Sequence, residues 1–184
     1  MYPIRVLVSG GLHCNKIRNL THVLYSSMNW MDNRLELNFD ATFRCPLECP
    51  KCMRQTYAKR GNRVEGVDCS LENFEKLTDW FTDMRFCGQV SDPTAHPKFL
   101  ELLEICARKK LKVKVHNAAS HKSIDWYKKA FATYPKAVWE FGLDGLPKDS
   151  HKYRVNQDGE KLWSVMKWAL SLIHISEPTR PTPI

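Results

Sequence analysis

Residues 35–52 of the chain read Leu-Glu-Leu-Asn-Phe-Asp-Ala-Thr-Phe-Arg-Cys-Pro-Leu-Glu-Cys-Pro-Lys-Cys. The first six residues alternate between apolar and polar side chains, and this period of two predicts a β-strand over residues 35–41. The cysteines that follow, Cys45, Cys49 and Cys52, are therefore expected in a loop at the carboxyl end of that strand. In α/β folds the functional residues concentrate at the carboxyl ends of the strands. The stretch thus predicts an α/β fold with a site built around these cysteines.

The spacing of the three cysteines, C-x3-C-x2-C, limits what they can bind. Three thiolates this close together can hold three irons of a four-iron, four-sulfur cluster and leave the fourth iron without a protein ligand. A structural zinc site needs a fourth ligand, which would have to come from Cys14, Cys69 or a histidine. Disulfides are disfavoured because seven cysteines is an odd number and no secretory signal precedes them. A cluster, a zinc site and unligated thiols all remain open on the spacing alone.

The C-x3-C-x2-C motif directly after an early strand resembles the radical S-adenosylmethionine (SAM) superfamily. The form Cys-x-x-x-Cys-Pro-x-Cys is similar to the SPASM-like branch, whose members often carry auxiliary clusters in a C-terminal extension. Lys51 stands where the family usually has an aromatic residue. The resemblance implies that Cys45, Cys49 and Cys52 hold a 4Fe-4S cluster whose open iron is chelated by the amino and carboxylate groups of SAM.

Four strand–helix units are predicted in sequence. The predicted strands are 35–41, 85–88, 112–116 and 137–143, and the predicted helices are 71–81, 97–109, 124–131 and 159–170. The cysteine loop is expected to extend from the first strand to about Val67. This alternation predicts a parallel sheet, and right-handed crossovers favour a barrel. The resemblance implies a partial (β/α) barrel with about four of six units present, forming a truncated core over residues 35–170 after an N-terminal extension, residues 1–34.

The turn after the second predicted strand, residues 88–93, reads Gly-Gln-Val-Ser-Asp-Pro. It resembles the Gly-Gly-Glu-Pro-type turn where radical SAM enzymes bind the amino group of SAM, although the literal Gly-Gly-Glu is absent. Asp92 and the carbonyls near Gly88 and Gln89 are the candidates for that ammonium, because a glycine allows close approach and these oxygens pair with cations. Cys87, just before the turn, is expected to be a small buried side chain rather than a ligand.

Two later turns also resemble the family. Residues 117–120, Asn-Ala-Ala-Ser, are close to its Thr-Asn-Gly-Ser turn, so Asn117 and Ser120 are expected at the polar edge of SAM, with a purely structural turn as the alternative. Asp144 before Gly145 resembles the Ser-Ile-Asp-Gly strand end, which implies that Asp144 faces the cavity. The segment His-Lys-Tyr-Arg ending at Arg154 is similar to His-x-x-Tyr-Arg, which implies that Arg154 lies near the SAM carboxylate.

His116 ends the third predicted strand and His121 follows it. The sequence identifies no partner for either histidine. Lone histidines of this kind are expected to be structural.

The last stretch, residues 171–184, reads Ser-Leu-Ile-His-Ile-Ser-Glu-Pro-Thr-Arg-Pro-Thr-Pro-Ile. It resembles the in-frame translation of a transposase adapter used in sequencing libraries, so it is expected to be a non-native, disordered tail. A natural proline-rich tail is the alternative. On this hypothesis the last two barrel units and any auxiliary-cluster cysteines are missing, and the fragment is expected to fold poorly alone and to be inactive.

The composition limits the classes of protein to which the chain can belong. The chain has 184 residues with 43% hydrophobic residues, enough for one domain with a core, and no apolar run reaches the length of a membrane span. The net charge of +8 would suit an anionic partner such as RNA, but the basic residues are scattered apart from Arg108, Lys109 and Lys110, which favours a solvated basic surface. Reduced cysteines and no targeting segment favour the cytoplasm.

The resemblance implies an enzyme that reductively cleaves SAM at a 4Fe-4S cluster to a 5′-deoxyadenosyl radical, which abstracts hydrogen from a substrate that the sequence does not identify. An electron donor such as a flavodoxin or ferredoxin is the expected partner, and no catalytic residue beyond the cluster ligands is assigned. Two alternatives stay open. One is a non-catalytic iron–sulfur or zinc binding module, associated with RNA on the strength of the charge; the other is an ordinary α/β domain with incidental cysteines.

Overall fold

A computed structural model of the protein describes residues 35–176, with side chains through Ser171. The predicted N-terminal extension, residues 1–34, lies outside this part, as do residues 177–184 of the predicted tail. Four strands form one sheet in the order β1-β2-β3-β4, and all three pairings are parallel. The strands are β1 Glu36–Phe39, β2 Asp83–Phe86, β3 Lys112–Asn117 and β4 Val138–Phe141.

Helices alternate with the strands, as parallel crossovers require. They are α1 Met53–Lys59, α2 Leu71–Leu77, α3 Phe99–Arg108, α4 Ile124–Thr133 and α5 Gly159–Ser176, with 3₁₀ turns at Pro93–Ala95 and Pro147–Lys152. The predicted α/β class with a four-stranded parallel sheet is therefore confirmed.

The core lies between helices α2–α5 and one face of the sheet. Strand register aligns Phe39, Phe86 and Val115 in one row, and all three side chains are buried. The ring of Phe86 stacks on Phe74 of α2, with centroids 5.8 Å apart, and meets Phe99 of α3 edge-on at 5.2 Å. Aromatic pairs of this geometry contribute about 0.5–1.5 kcal/mol beyond their burial. These contacts fix helices α2 and α3 against the middle of the sheet.

The opposite face of the sheet, called here the inner face, is polar. Side chains alternate along a strand, so the residues between the core positions point away from helices α2–α5. On this face Arg85 pairs with Glu36, with Nη2 and Oε1 3.2 Å apart, and Lys114 pairs with Glu140, with Nζ and Oε1 2.8 Å apart. When helices cover both faces of a parallel sheet, its strands carry apolar residues on both faces. The described strands instead carry an apolar face and a charged one.

Two elements near the cysteines differ from the prediction. Helix α1 begins directly after Cys52, inside the segment expected to be loop. It buries none of its residues and has no side-chain cap at its N-terminus, so it leaves no amphipathic or capping signal in the sequence. Strand β2 begins two residues earlier than expected and ends before Gly88, whose φ of +58° is incompatible with an extended strand.

Two helices end four or more residues away from the predicted position. Helix α2 ends at Leu77 rather than residue 81, because the chain tightens into a turn in which the Trp80 amide donates to the Leu77 carbonyl at 3.1 Å. Helix α5 continues past Leu170 to Ser176, so the first residues of the segment expected to be disordered are helical.

Candidate functional site

The three cysteines line one cavity at the carboxyl ends of the strands. Its volume is about 410 Å³. The cysteines of the loop after β1 share it with the segments that follow β2, β3 and β4. Its lining includes most of the residues singled out in the sequence: Cys45, Cys49, Cys52, Gly88, Gln89, Asp92, Asn117 and Arg154. Ser120 and Asp144 were also predicted to contact SAM, and neither is part of the lining.

Backbone hydrogen bonds hold the cysteine loop against the other turns. The Asp92 amide donates to the Arg44 carbonyl at 2.9 Å, which ties the loop to the turn after β2. The Glu48 amide donates to the Val155 carbonyl at 3.1 Å, which ties it to the segment before α5. These bonds fix the loop on both sides of Cys45.

Arg54, in the first turn of α1, adds a side-chain tie to the same loop. Its Nη1 donates to the Val90 carbonyl at 3.1 Å and also to the Phe43 carbonyl. The side chain itself lines the cavity. Arg54 therefore joins both ends of the cysteine loop to the turn after β2.

Burial makes two of the three cysteine thiols, Cys45 and Cys49, harder to ionise. Burial raises the pKa of Cys45 to about 11, and burial also raises the pKa of Cys49, partly opposed by the positive charge of Arg154. A thiolate is the form that binds metal, so loading either cysteine releases a proton.

The donor set of the site suits an iron–sulfur cluster. Within residues 35–176, no group of three or more His, Cys, Asp or Glu side chains is arranged to share a single metal ion. Cluster ligands bind separate irons, so their sulfurs need not converge on one point. Three cysteines on the wall of one cavity provide the thiolates that such clusters use.

Asp92 is buried, and its carboxylate is occupied by the protein itself. Its Oδ1 accepts from the amide of Thr94 at 3.0 Å, and its Oδ2 accepts from the amides of Ala118 at 2.9 Å and Ala119 at 2.8 Å. The side-chain amide of Asn117 donates to both oxygens, at 3.1 and 3.0 Å. A carboxylate has about four lone-pair sites. Asp92 is therefore saturated, and it joins the turn after β2 to the turn after β3.

Asn117 belongs to the same network. Its Oδ1 accepts from the Tyr127 hydroxyl at 2.8 Å, and its Nδ2 also donates to the Ala119 carbonyl at 3.0 Å. Burial raises the pKa of Tyr127, so its hydroxyl keeps the proton that it donates. The Asp92–Asn117 network thus holds together the turns after β2 and β3 where they line the cavity.

Gly88 is required by the turn itself. Its φ is +58°, and a Cβ there would lie 2.7 Å from the Ser91 carbonyl oxygen. Glycine alone adopts this region without penalty and leaves room for that oxygen. Gly88 and the following Gln89 both line the cavity.

Arg154 and Asp144, predicted from separate segments, form an ion pair. The distance from Arg154 Nε to Asp144 Oδ2 is 2.5 Å. Gly142 makes room for the guanidinium, since a Cβ there would lie 3.0 Å from Arg154 Nη2. Asp144 thus positions an arginine that lines the cavity beside Cys49.

Ser120 has a structural position outside the cavity lining. Its Oγ accepts from the Asp158 amide at 2.7 Å, just before α5. The neighbouring Gln157 is buried and donates from Nε2 to the Gly142 carbonyl at 2.8 Å. These bonds attach the start of α5 to the ends of β3 and β4.

Sequence reasoning assigned no site role to several residues of the lining, among them Cys87, His116 and Glu140. Cys87, expected to be a small buried side chain, lines the cavity, and its Sγ lies 3.9 Å from Asp40 Oδ2. His116 and Glu140 also line it, with Nδ1 and Oε2 3.1 Å apart. The pairing of β3 with β4 places these two residues in register. That register was the missing signal, because residues 116 and 140 are distant in sequence.

Comparison of the chain with models of known protein families and with curated proteins found no match to either. Among the helices of residues 35–176, none combines the length and apolar character needed to cross a membrane.

Proposed function

We propose that the protein is a radical SAM enzyme in which Cys45, Cys49 and Cys52 hold a 4Fe-4S cluster and the adjoining cavity takes SAM. One observation carries the proposal. The three cysteines share a cavity with the segments after β2 and β4, whose sequences resemble the SAM-binding segments of the radical SAM family. When bound, the cluster and SAM supply a 5′-deoxyadenosyl radical by one-electron cleavage, with the electron coming from a donor such as a flavodoxin or ferredoxin.

The backbone near Gly88 and Gln89, rather than Asp92, is assigned to the ammonium of SAM. Asp92 accepts hydrogen bonds at both oxygens from the protein, so an ammonium would have to displace them. Gly88 and Gln89 line the cavity, so their backbone is the remaining candidate from this turn. A carbonyl oxygen is a sound acceptor for an ammonium N–H.

Arg154 is assigned to the carboxylate of SAM. Its Nε contacts Asp144, and a guanidinium carries further N–H groups on its other edge that match a carboxylate. In this assignment Asp144 contacts no ligand and fixes the orientation of Arg154. Asn117 and Ser120 support the turns and are not assigned to the ligand.

A partial (β/α) barrel is the architecture that fits this proposal. Helices α2–α5 cover one face of the sheet, and the inner face carries ion pairs between Arg85 and Glu36 and between Lys114 and Glu140. A barrel segment has helices outside and its functional residues at the carboxyl ends of its strands. We place the protein in the cytoplasm, where such thiols stay reduced.

The proposal is tested by anaerobic reconstitution of the chain with iron and sulfide. We expect about four irons and four sulfides per chain, lost when Cys45, Cys49 and Cys52 are all changed to alanine. The matched control is Cys106→Ala, a buried cysteine of α3 outside the cavity. Release of 5′-deoxyadenosine with dithionite and SAM is measured on a longer form of the protein that carries the two barrel units expected to be missing on the truncation hypothesis. Absence of both the cluster and this product would refute the proposal.

Cys87 supports a second candidate function, a non-catalytic metal-binding module. It is a fourth cysteine on the wall of the same cavity, and four thiolates would close a cluster or complete a zinc site. Cys87→Ser separates the candidates. An open cluster on three cysteines keeps its iron in this variant, whereas a closed four-cysteine site loses it. One zinc per chain without iron would also favour the module.

A further inference from the structure

Helix α1, which begins directly after the third cysteine, presents a basic surface to solvent. The helix buries none of its residues. Residues 50–64, which include it, contain no aspartate or glutamate. Four exposed basic side chains lie in this segment, and together they are called here the α1 patch: Lys51, Lys59, Arg60 and Arg63.

The charges of the α1 patch are not neutralised by the part of the chain that the structure describes. None of its four side chains forms an ion pair with a carboxylate of residues 35–171. The basic run that stands out in the sequence differs in this respect, since Arg108 pairs with Glu75 and Lys109 pairs with Asp79. Unpaired positive charges gathered on one short segment attract an anionic partner.

The rest of these 184 residues does not offer an excess of negative charge to the α1 patch. Residues 1–34 carry four basic residues and one acidic residue, and residues 177–184 carry one of each. A second copy of the chain, with its net charge of +8, would be repelled overall. The charge of the patch therefore fits a different molecule, and one that is acidic.

The α1 patch adjoins a proposed cluster ligand. Cys52 is the N-cap residue of α1, and at about 1.5 Å per residue the helix extends only about 10 Å from it. Met53 and Tyr57, four residues apart on one side of α1, are 48% and 43% exposed. Methionine, tyrosine and arginine are enriched where proteins contact one another. The surface thus offers charged and apolar contacts to a protein close to the cysteines.

We infer that the α1 patch, with Met53 and Tyr57, is the docking surface for the electron donor, an acidic protein that carries a one-electron cofactor. The inference rests on the proposed function, in which a cluster at the cysteines has to receive one electron from outside. In that transfer the reduced donor loses one electron and the cluster gains it, and no bond forms or breaks. Redox complexes of this kind use small interfaces that charge attraction helps to assemble.

RNA is the other anion that a basic patch attracts. A nucleic-acid surface carries its lysines and arginines along a whole face or a long helix, to follow the phosphate backbone. The α1 patch is confined to one seven-residue helix and the residues next to it. Its position beside Cys52 favours a partner that must approach the cluster.

Isothermal titration calorimetry of the full chain, without iron or SAM, tests the inference. The probes are an acidic flavodoxin and an acidic ferredoxin, both oxidised. We expect at least one of them to bind, with an affinity that falls about tenfold or more when sodium chloride is raised from roughly 50 to roughly 300 mM, because salt screens exposed charges. Failure of both probes to bind, or binding that salt leaves unchanged, would overturn the inference.

A combined charge reversal locates the binding surface. Lys59→Glu, Arg60→Glu and Arg63→Glu together should weaken binding about tenfold or more at low salt, because like charges then face the acidic probe. Glutamine at the same three positions removes the charges with a residue that favours helix, so it should weaken binding by a smaller factor even if the reversal disturbs α1. Far-UV circular dichroism checks that the helices persist.

The matched control has the same change in net charge at a different place. It combines Lys129→Glu, Lys136→Glu and Lys167→Glu, three exposed lysines on or after helices α4 and α5. We expect its affinity for the probe to stay within about twofold of the parent, because attraction at an interface depends on local charge. Equal weakening by both triple variants would contradict the docking surface, as would tighter binding of single-stranded oligouridine through the same three residues. Since the cluster is absent, failure here is distinguishable from failure of the proposed function.

Discussion

Gly88 shows at the residue scale how the turn after β2 depends on one backbone conformation. Gly88→Ala would place a methyl group 2.7 Å from the Ser91 carbonyl in addition to the positive φ. We expect a loss of about 2–4 kcal/mol in the free energy of unfolding, measured by urea denaturation. The matched control is Gly61→Ala, where φ is +74° and no atom lies within 4 Å, so only about 1 kcal/mol is expected. Equal losses would contradict the steric explanation.

Asp92 provides a second prediction at this scale. Asp92→Asn replaces one carboxylate oxygen with an NH₂ group opposite backbone N–H donors, two of them from Ala118 and Ala119. Leaving such buried donors unpaired should cost about 1–3 kcal/mol in the free energy of unfolding. Asp125→Asn, at an exposed position of α4, should change it by less than about 1 kcal/mol. An Asp92→Asn variant with the same free energy of unfolding as the parent would indicate that the turns do not need the carboxylate and that it is available to a ligand instead.

At the residue scale, sequence motifs predict which residues reach the site but not how these residues contact one another. The sequence predicted Asp92 and Asn117 as SAM contacts, and both line the cavity, because turns after parallel strands meet at one edge. It could not show that they bind one another. That contact depends on the spacing of β2 and β3, which no local pattern encodes.

At the scale of elements, Arg54 joins helix α1 to the turn after β2. Arg54→Gln removes the donor to the Val90 and Phe43 carbonyls and should loosen the cysteine loop. We expect reconstituted iron to dissociate at least several-fold faster from this variant when a chelator is added. Arg60→Gln, an exposed position just past the same helix, is the matched control. Identical rates for both variants would exclude a role for Arg54 in holding the loop.

The elements themselves were predictable where the sequence carries a local signal. Helices α2 and α4 begin where expected, because Ser70 and Ser123 cap them by accepting from the Asn73 and Trp126 amides. Helix α1 was not predictable, since it has neither a cap nor a buried face. Its stability comes from its contacts with the loop, which are tertiary.

The whole molecule brings residues from four strand ends to one cavity. Strand alternation predicts that meeting in outline, because parallel strands present their carboxyl ends at one edge of a sheet. The row from Cys87 through His116 to Glu140 was not predictable, because it depends on register across three strands. Register of the inner face is set by the core on the other face, where a one-residue slip would bury the charged row.

The central claim is that three thiolates leave one iron of the cluster open to SAM. The most direct measurement is the electron paramagnetic resonance spectrum of the anaerobically reconstituted and reduced protein, recorded before and after addition of SAM. Coordination of SAM to the open iron should change the spectrum, and Cys87→Ser should respond in the same way. A cluster spectrum that SAM leaves unaltered, or protein that takes up zinc and no iron, would contradict the account.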